Sequence, residues 1–443
     1  MSSLTDFNTM FHDLNRFITL QSGKLSDRKK YMGHFTIIMN AICNDLKERS
    51  ELFKRMYHGI DYSGSYRDNL KVGKPNEYDI NIKMKFVKPD KVIVGSAKPG
   101  YLKINITELL EEMKMLTGYD RAVKELTKLI NSEGLLLQNK WMAWSEGIIT
   151  STFAKVKQDL SAEYNMSHSK QGPAHTIKVA SITDYTVTFS IDFVFGIMLD
   201  LTKWIATRPI PESIKTEDNY FTAIPKPNKT LIGQPNPLWI ASYPAQDHNI
   251  MHDKNRLKDS IRFLKKIRDT QGIENLKSFY IKTVVMLETD KRPSLYWQNP
   301  IRTVLIDMLT AVINRLENGN IPSYWNKNFN IIGGFSQDQK NDMVRKLKKV
   351  KGVWENSLDK QTIISTILPL SETQILMDTM GLETETGGPR RVFSHQFNNE
   401  GVIQGDPEQS TSSNLNRNIL LGVGALGVAL AAVSMYRSNR NRD

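Results

Sequence analysis

Cysteine is nearly absent from this chain: Cys43 is the only one in 443 residues. No intramolecular disulfide can form, a zinc site built from cysteines is excluded, and the composition fits a reducing compartment. The amino terminus, Met1 to Asp6, lacks the basic flank and the apolar core of a secretory signal. Acidic side chains are outnumbered, 47 against 59 basic ones, which leaves a net charge of +12. Such an excess suits a polyanionic partner, either nucleic acid or an anionic membrane surface. With 40% hydrophobic and 24% charged residues the composition is globular. The length allows two or three domains with sizeable cores.

The chemistry is concentrated between Tyr62 and Ile82. Gly64-Ser65 is a tight turn that leads into a helix start, where free backbone N–H groups and the positive dipole end suit a phosphate. About a dozen residues on, Glu77-Tyr78-Asp79-Ile80-Asn81-Ile82 alternates polar and apolar residues as a half-buried strand does. Side chains on a strand repeat every second residue, so Glu77 and Asp79 share a face. Neighbouring carboxylates repel each other unless a divalent cation lies between them. A phosphate cradle followed by a paired acidic strand is what metal-dependent nucleotidyl transfer requires.

These residues, Gly64-Ser65-Tyr66 with Pro75-Asn76-Glu77-Tyr78-Asp79, resemble the signature of the Mab-21 group of nucleotidyltransferases. That group includes cyclic GMP-AMP synthase and the cyclic GMP-AMP synthase-like receptors of insects. The resemblance runs from about Ser26 to Trp354. It implies an α+β, bilobal nucleotidyltransferase fold with a mixed β-sheet core, a long spine helix and a helical carboxy-terminal lobe. The expected divisions are an amino-terminal region with the spine helix (1–55), the nucleotidyltransferase core (56–215), the helical lobe (216–380), a polar linker (381–416) and a membrane segment (417–443).

Along the chain, Phe35, Ile38, Met39, Ile42 and Leu46 recur at helical spacing and predict the spine helix over Ser26–Leu52. Its basic start, Lys24, Arg28, Lys29 and Lys30, is a candidate nucleic-acid face or a solvated helix face. Ile104–Leu116, Arg121–Ser132 and Trp141–Leu160 read as helices, the last carrying the buried aromatics Trp141 and Trp144. Gly172 and Pro173 interrupt the pattern ahead of a strand over Tyr185–Phe195. In that strand Asp192 is a lone carboxylate among apolar neighbours, and a buried charge needs a cation or a donor. The resemblance implies that Asp192 is the third metal-binding acid.

From Phe221 the pattern turns mostly helical. Trp239-Ile240-Ala241-Ser242 resembles a family segment in which an arginine stands where this chain has Ile240, so Ser242 keeps its place and the base preference is open. Asn255–Asp269 is a basic helix, and the resemblance implies that Arg262 or Lys265 holds the donor phosphates. Lys277 to Thr283 resembles a further motif, which implies Ser278 on phosphate, Phe279 stacked on a base and Lys282 near the triphosphate. His248 and His252, without cysteine, cannot form the usual zinc tetrahedron, so no zinc site is expected.

Residues from Thr384 to Asn416 are a polar linker by composition. Ile419–Tyr436 is an uncharged run of Leu, Val, Ala and Gly at the short end of the membrane-spanning range, followed by Arg437, Arg440 and Arg442. It predicts a tail anchor in the mitochondrial outer membrane or the endoplasmic reticulum, with the remainder in the cytosol. The expectation is a cyclic dinucleotide synthase, an innate immune sensor using ATP, GTP and two Mg2+ or Mn2+ ions, with double-stranded RNA as activator. A membrane adaptor without activity and a polymerase that extends RNA ends are the alternatives.

Overall fold

The computed structural model describes residues 2–20, 25–73, 76–210, 219–226 and 234–380. Nine strands form one mixed sheet: β1 (Tyr57–Tyr62), β2 (Glu77–Met84), β3 (Ile93–Ser96), β4 (Tyr101–Asn105), β5 (Tyr164–Gln171), β6 (Ala174–Ser181), β7 (Thr188–Asp200), β8 (Tyr220–Ile224) and β9 (Trp239–Ser242). Their order is β1-β2-β7-β8-β9-β4-β3, and the β5–β6 hairpin joins β7 through β6. The parallel pair β2–β7 lies at the centre. Strands of such pairs are buried on both faces. Tyr78, Ile80 and Ile82 of β2 and Phe193, Phe195 and Ile197 of β7 are accordingly buried.

The helices α1 (Ser2–Leu20), α2 (Leu25–Arg49), α3 (Glu51–Met56), α4 (Gly64–Arg67), α5 (Thr107–Lys114), α6 (Asp120–Thr127) and α7 (Gln138–Asp159) precede the last strands. The spine helix is α2, and all five residues of its expected apolar stripe are buried. It stops at Ser50, whose hydroxyl caps α3 by accepting from the Phe53 amide at 3.0 Å. The expected helix over Ile104–Leu116 begins as β4 and becomes α5 only at Thr107. Trp141 is fully buried and donates its indole N–H to the Phe195 carbonyl, which fixes α7 to β7.

The second lobe comprises α8 (Pro244–Ile250), α9 (Asn255–Thr270), α10 (Ser278–Leu287), α11 (Ile301–Glu317), α12 (Gln337–Asn356), α13 (Lys360–Ile367) and α14 (Leu370–Met380). The α+β architecture with a helical carboxy-terminal region is as expected. Two further features differ. Strands β8 and β9 complete the sheet after Phe221, where helices were expected, because a short apolar run has no period that separates strand from buried helix. Helix α1 belongs to the second lobe, with Phe7, Met10, Phe11, Leu14 and Ile18 buried against α9, α11 and α13.

The membrane localisation requires correction. No helix among the described residues is long and apolar enough to cross a membrane. The longest, α2, carries Arg28, Lys29, Lys30, Lys47 and Arg49 and belongs to the globular fold. The run Ile419–Tyr436, on which the expected anchor in the mitochondrial outer membrane or endoplasmic reticulum rested, lies outside the described residues, as does the linker from Thr384.

Candidate active site

The register of the central strands assembles an acidic cluster. On β2–β7, Asp79 pairs directly with Asp192, and Glu77 projects one pleat away on the same face. One carboxylate oxygen from each of Glu77, Asp79 and Asp192 lies within 4.8 Å of the others. Among the described residues this is the one group of three such side chains able to hold a metal ion. On the other edge of β7, Thr176 of β6 pairs with Asp192 and donates its hydroxyl to Oδ1 at 2.5 Å. Asp192 is thus held between two strands, with Asp79 on one side and Thr176 on the other.

The cluster is electrostatically unbalanced. Asp79 is 3% exposed, and its Oδ1 has no hydrogen-bond partner. Burial, then the charges of Glu77 and Asp192, push its carboxyl well above the usual carboxylate range. Burial raises Asp192 to about 6 against the opposing Thr176 hydrogen bond. Lys71 supplies partial compensation, with Nζ 2.7 Å from Glu77 Oε2. An orphaned buried oxygen within three hard oxygen donors fits a divalent cation such as Mg2+ or Mn2+.

The turn expected to hold phosphate abuts this cluster. The Ser63 amide donates to the Asp79 carbonyl at 2.8 Å, and Gly64 opens α4 with φ +60°. A side chain there would be strained, so glycine is the residue that permits this bend. The Leu70 amide closes the turn on the Ser65 carbonyl at 2.8 Å.

Residues 66–253 match the model of the Mab-21 protein nucleotidyltransferase domain, and residues 256–349 match that of the Mab-21 protein HhH/H2TH-like domain. Over 345 residues the chain is 31% identical to Cyclic GMP-AMP synthase-like receptor 1 of Drosophila erecta, covering 75% of this chain and 76% of that one. It is 25% identical over 372 residues to the Cyclic GMP-AMP synthase-like receptor of Lucilia cuprina, covering 82% and 96%. With the protein of that name from Microplitis demolitor it shares 28% over 434 residues, covering 92% and 79%. This chain belongs to the Mab-21 nucleotidyltransferases, among the cyclic GMP-AMP synthase-like receptors.

The remaining residues expected to serve a Mab-21 nucleotidyltransferase fall into three groups. Arg262 and Lys265 of α9 are both buried and grip consecutive carbonyls after the Gly-Ser turn. Arg262 donates to Asn69 O and Lys265 to Leu70 O, each at 2.7 Å. Arg262 is also paired with Asp259 at 2.5 Å. Burial, then Arg268 and Lys71, pull Lys265 down to about 7. Of the two it is Lys265 whose charge reaches Asp79.

Lys282 of α10 is engaged elsewhere, 2.5 Å from Asp68 Oδ2 and 2.9 Å from Asp247 Oδ2. Burial opposes its charge, yet Asp247 and Asp68 together hold the ammonium above its usual range. Ser278 opens α10 and accepts from Arg268 at 2.6 Å, and Phe279 beside it is half-buried. Ser242 ends β9 opposite Thr222, on the sheet face that carries the acids. Ile240 is 1% exposed and packs between Tyr101 and Ile224.

The basic start of the spine divides. Lys29 and Lys30 are both exposed, and Lys30 is ion-paired to Asp184 and bonded to the Thr186 hydroxyl. Lys24 and the Arg28 side chain lie outside the described residues. Sequence reasoning missed three participants. Thr176 follows the Gly172-Pro173 break and carried no assigned role, and Asp68 and Lys71 sit in the stretch between the Gly-Ser turn and the acidic strand. The only available signal was position: charged residues a few steps beyond Gly64-Ser65 must lie near whatever that turn serves.

Proposed function

We propose that this chain makes a cyclic dinucleotide of the cyclic GMP-AMP type from ATP and GTP when double-stranded RNA binds it, as an innate immune sensor. The observation that carries the reading is the opposed pair Asp79–Asp192 with Glu77 beside it, left with an unpartnered buried oxygen. Glu77, Asp79 and Asp192 would hold two Mg2+ or Mn2+ ions. Such ions, when bound, lower the pKa of a ribose hydroxyl and steady the charge of the leaving pyrophosphate.

The chain's own residues hold the reactants. The Gly64-Ser65 turn and Lys265 hold the donor triphosphate with Ser278, while Phe279 and Ser242 border the nucleotides. Thr176 fixes the rotamer of Asp192, so that the carboxylate faces Asp79 before substrate arrives. In each transfer a ribose oxygen bonds to the α-phosphorus, the bond to pyrophosphate breaks, and the hydroxyl proton passes to solvent. Two successive transfers give first a linear and then a cyclic dinucleotide. Duplex RNA is read through phosphates, 2′-hydroxyls and A-form shape along a basic face that includes Lys24, Arg28, Lys29 and Lys30.

The test incubates the full chain with Mn2+, labelled ATP and GTP, and either duplex RNA or duplex DNA. Phosphatase-resistant product is expected with RNA, and its rate falls by about a thousandfold or more in Asp192→Asn, the scale of removing a charge-stabilising group. Product with DNA alone discards the RNA activator. Lengthened RNA instead of a cyclic product turns the reading to a polymerase.

A further inference from the structure

Lys71 is the one ammonium, among the described residues, in ion-pair contact with the three clustered carboxylates. Its geometry is fixed from both ends. The preceding residue, Leu70, is closed onto Ser65 by its amide and gripped by Lys265 at its carbonyl. The Lys71 and Glu77 side chains are each 16% exposed, so the pair is largely screened from water. Lys71 therefore follows directly on a backbone tied to the Gly64-Ser65 turn and holds its ammonium on the acids.

Two cations cannot share Glu77 without repelling each other, and in a partly buried site that repulsion is weakly screened. A divalent ion at the Glu77 carboxylate therefore works against the Lys71 ammonium on Oε2 and drives it off. The displaced ammonium then needs an anion. The neighbouring Gly64-Ser65 turn is where the proposed function puts the donor triphosphate.

We propose that Lys71 is a positioning residue that occupies the acidic cluster as a built-in cation and moves to the nucleotide phosphates when a divalent ion binds. Resting as it does on the reading of Glu77, Asp79 and Asp192 as metal ligands, the inference adds a coupling. The ion alone binds weakly because it must evict Lys71, and nucleotide strengthens ion binding by receiving the ammonium. By linkage the ion strengthens nucleotide binding by the same factor. The cluster is thereby kept from holding a divalent ion without substrate.

The experiment titrates Mn2+ into the full chain, reading free Mn2+ by electron paramagnetic resonance. It is run without nucleotide and with an ATP analogue that cannot be cleaved between the α- and β-phosphates. Lys71→Met is expected to bind Mn2+ alone about tenfold more tightly than the parent, and the gain from the ATP analogue to shrink by a similar factor. Lys71→Gln should repeat this result, and Lys71→Arg, which keeps the charge, should behave as the parent. Equal or weaker Mn2+ binding in both neutral variants overturns the role of Lys71, provided that Asp79→Asn still abolishes binding. Mn2+ binding that is indifferent to Asp79→Asn overturns instead the reading of the cluster as the metal site, and the Lys71 inference with it.

Discussion

Two groups of buried charge flank the segment Asp68–Lys71, and they are built on opposite terms. At the junction of the lobes, Lys282 from α10 lies between Asp68 and Asp247, Trp325 donates to the second Asp247 oxygen at 2.6 Å, and His248 Nδ1 is 3.5 Å from Asp68. On the strands, three carboxylates face one hydrogen-bonded ammonium, and a buried oxygen of Asp79 has no partner. The first group is ion-paired through Lys282 and joins one lobe to the other, although Asp68 Oδ1, like the Asp79 oxygen, is buried without a hydrogen bond. The second leaves negative charge that the chain does not neutralise, and a fold retains such an arrangement where a ligand completes it. Both groups contain acids and lysines at similar depth. What separates them is the balance of charge: two carboxylates share the Lys282 ammonium at the junction, whereas on the strands three are clustered and Lys71 pairs with Glu77 alone.

The largest effect expected from this contrast is at the junction. Lys282→Met leaves Asp68, which is 3% exposed, without its ammonium and should destabilise the protein by about 3–5 kcal/mol in urea denaturation. Adding Asp68→Asn to that variant removes the stranded charge and should restore most of the loss. If Lys282 instead serves the triphosphate, as the family resemblance implies, the single variant would raise KM and leave the denaturation midpoint in place. That outcome would erase the distinction between the two groups.

The next effect has the opposite sign. Asp192 titrates near 6 in the folded chain, raised by burial above an unfolded value near 4. A carboxylate with a raised folded pKa weakens the fold above that pKa and ceases to do so as pH falls toward the unfolded value. In the presence of a chelator, Asp192→Asn should therefore be more stable than the parent by about 2–3 kcal/mol at pH 7.5. The difference should shrink from pH 6 downward and vanish near pH 4. Thermal melts of the two proteins across that range provide the check. A variant that is less stable at neutral pH would mean that the cluster is satisfied after all.

How far this contrast is visible before folding differs between the two groups. The alternation in Glu77-Tyr78-Asp79 and the isolation of Asp192 among apolar residues are local patterns, and with the resemblance they pointed to the acidic cluster. The pairing of Asp79 with Asp192 is a matter of strand register between distant segments, which no local period reports. The junction was harder to read. Lys282 carries a motif that implies phosphate contact, and its partners Asp68 and Asp247 come from a turn and a short helix with no periodicity of their own. Strands β8 and β9 and helix α1 were missed for a related reason. The strands are too short to show alternation, and the apolar stripe of α1 lies outside the stretch that the resemblance covers.

The same distinction between balanced and unbalanced charge extends, at its smallest, to the spine helix. Both lysines are exposed, but Lys30 is paired to Asp184, whose carboxyl is held at about 2 by Lys30 and Thr186, whereas Lys29 forms no ion pair among the described residues. If duplex RNA lies along this face, each phosphate contact contributes about one unit to the slope of log affinity against log salt. Lys29→Gln should lower that slope by about one unit, measured by fluorescence anisotropy across a salt series. Lys30→Gln should lower it by less, because the ammonium it removes is already paired and an RNA phosphate must compete with Asp184 for it. Equal losses from the two variants would mean that the Lys30–Asp184 pair opens on binding. In that case a charge satisfied in the free protein can still be recruited by a partner, and pairing alone would no longer separate structural from functional charge at the surface.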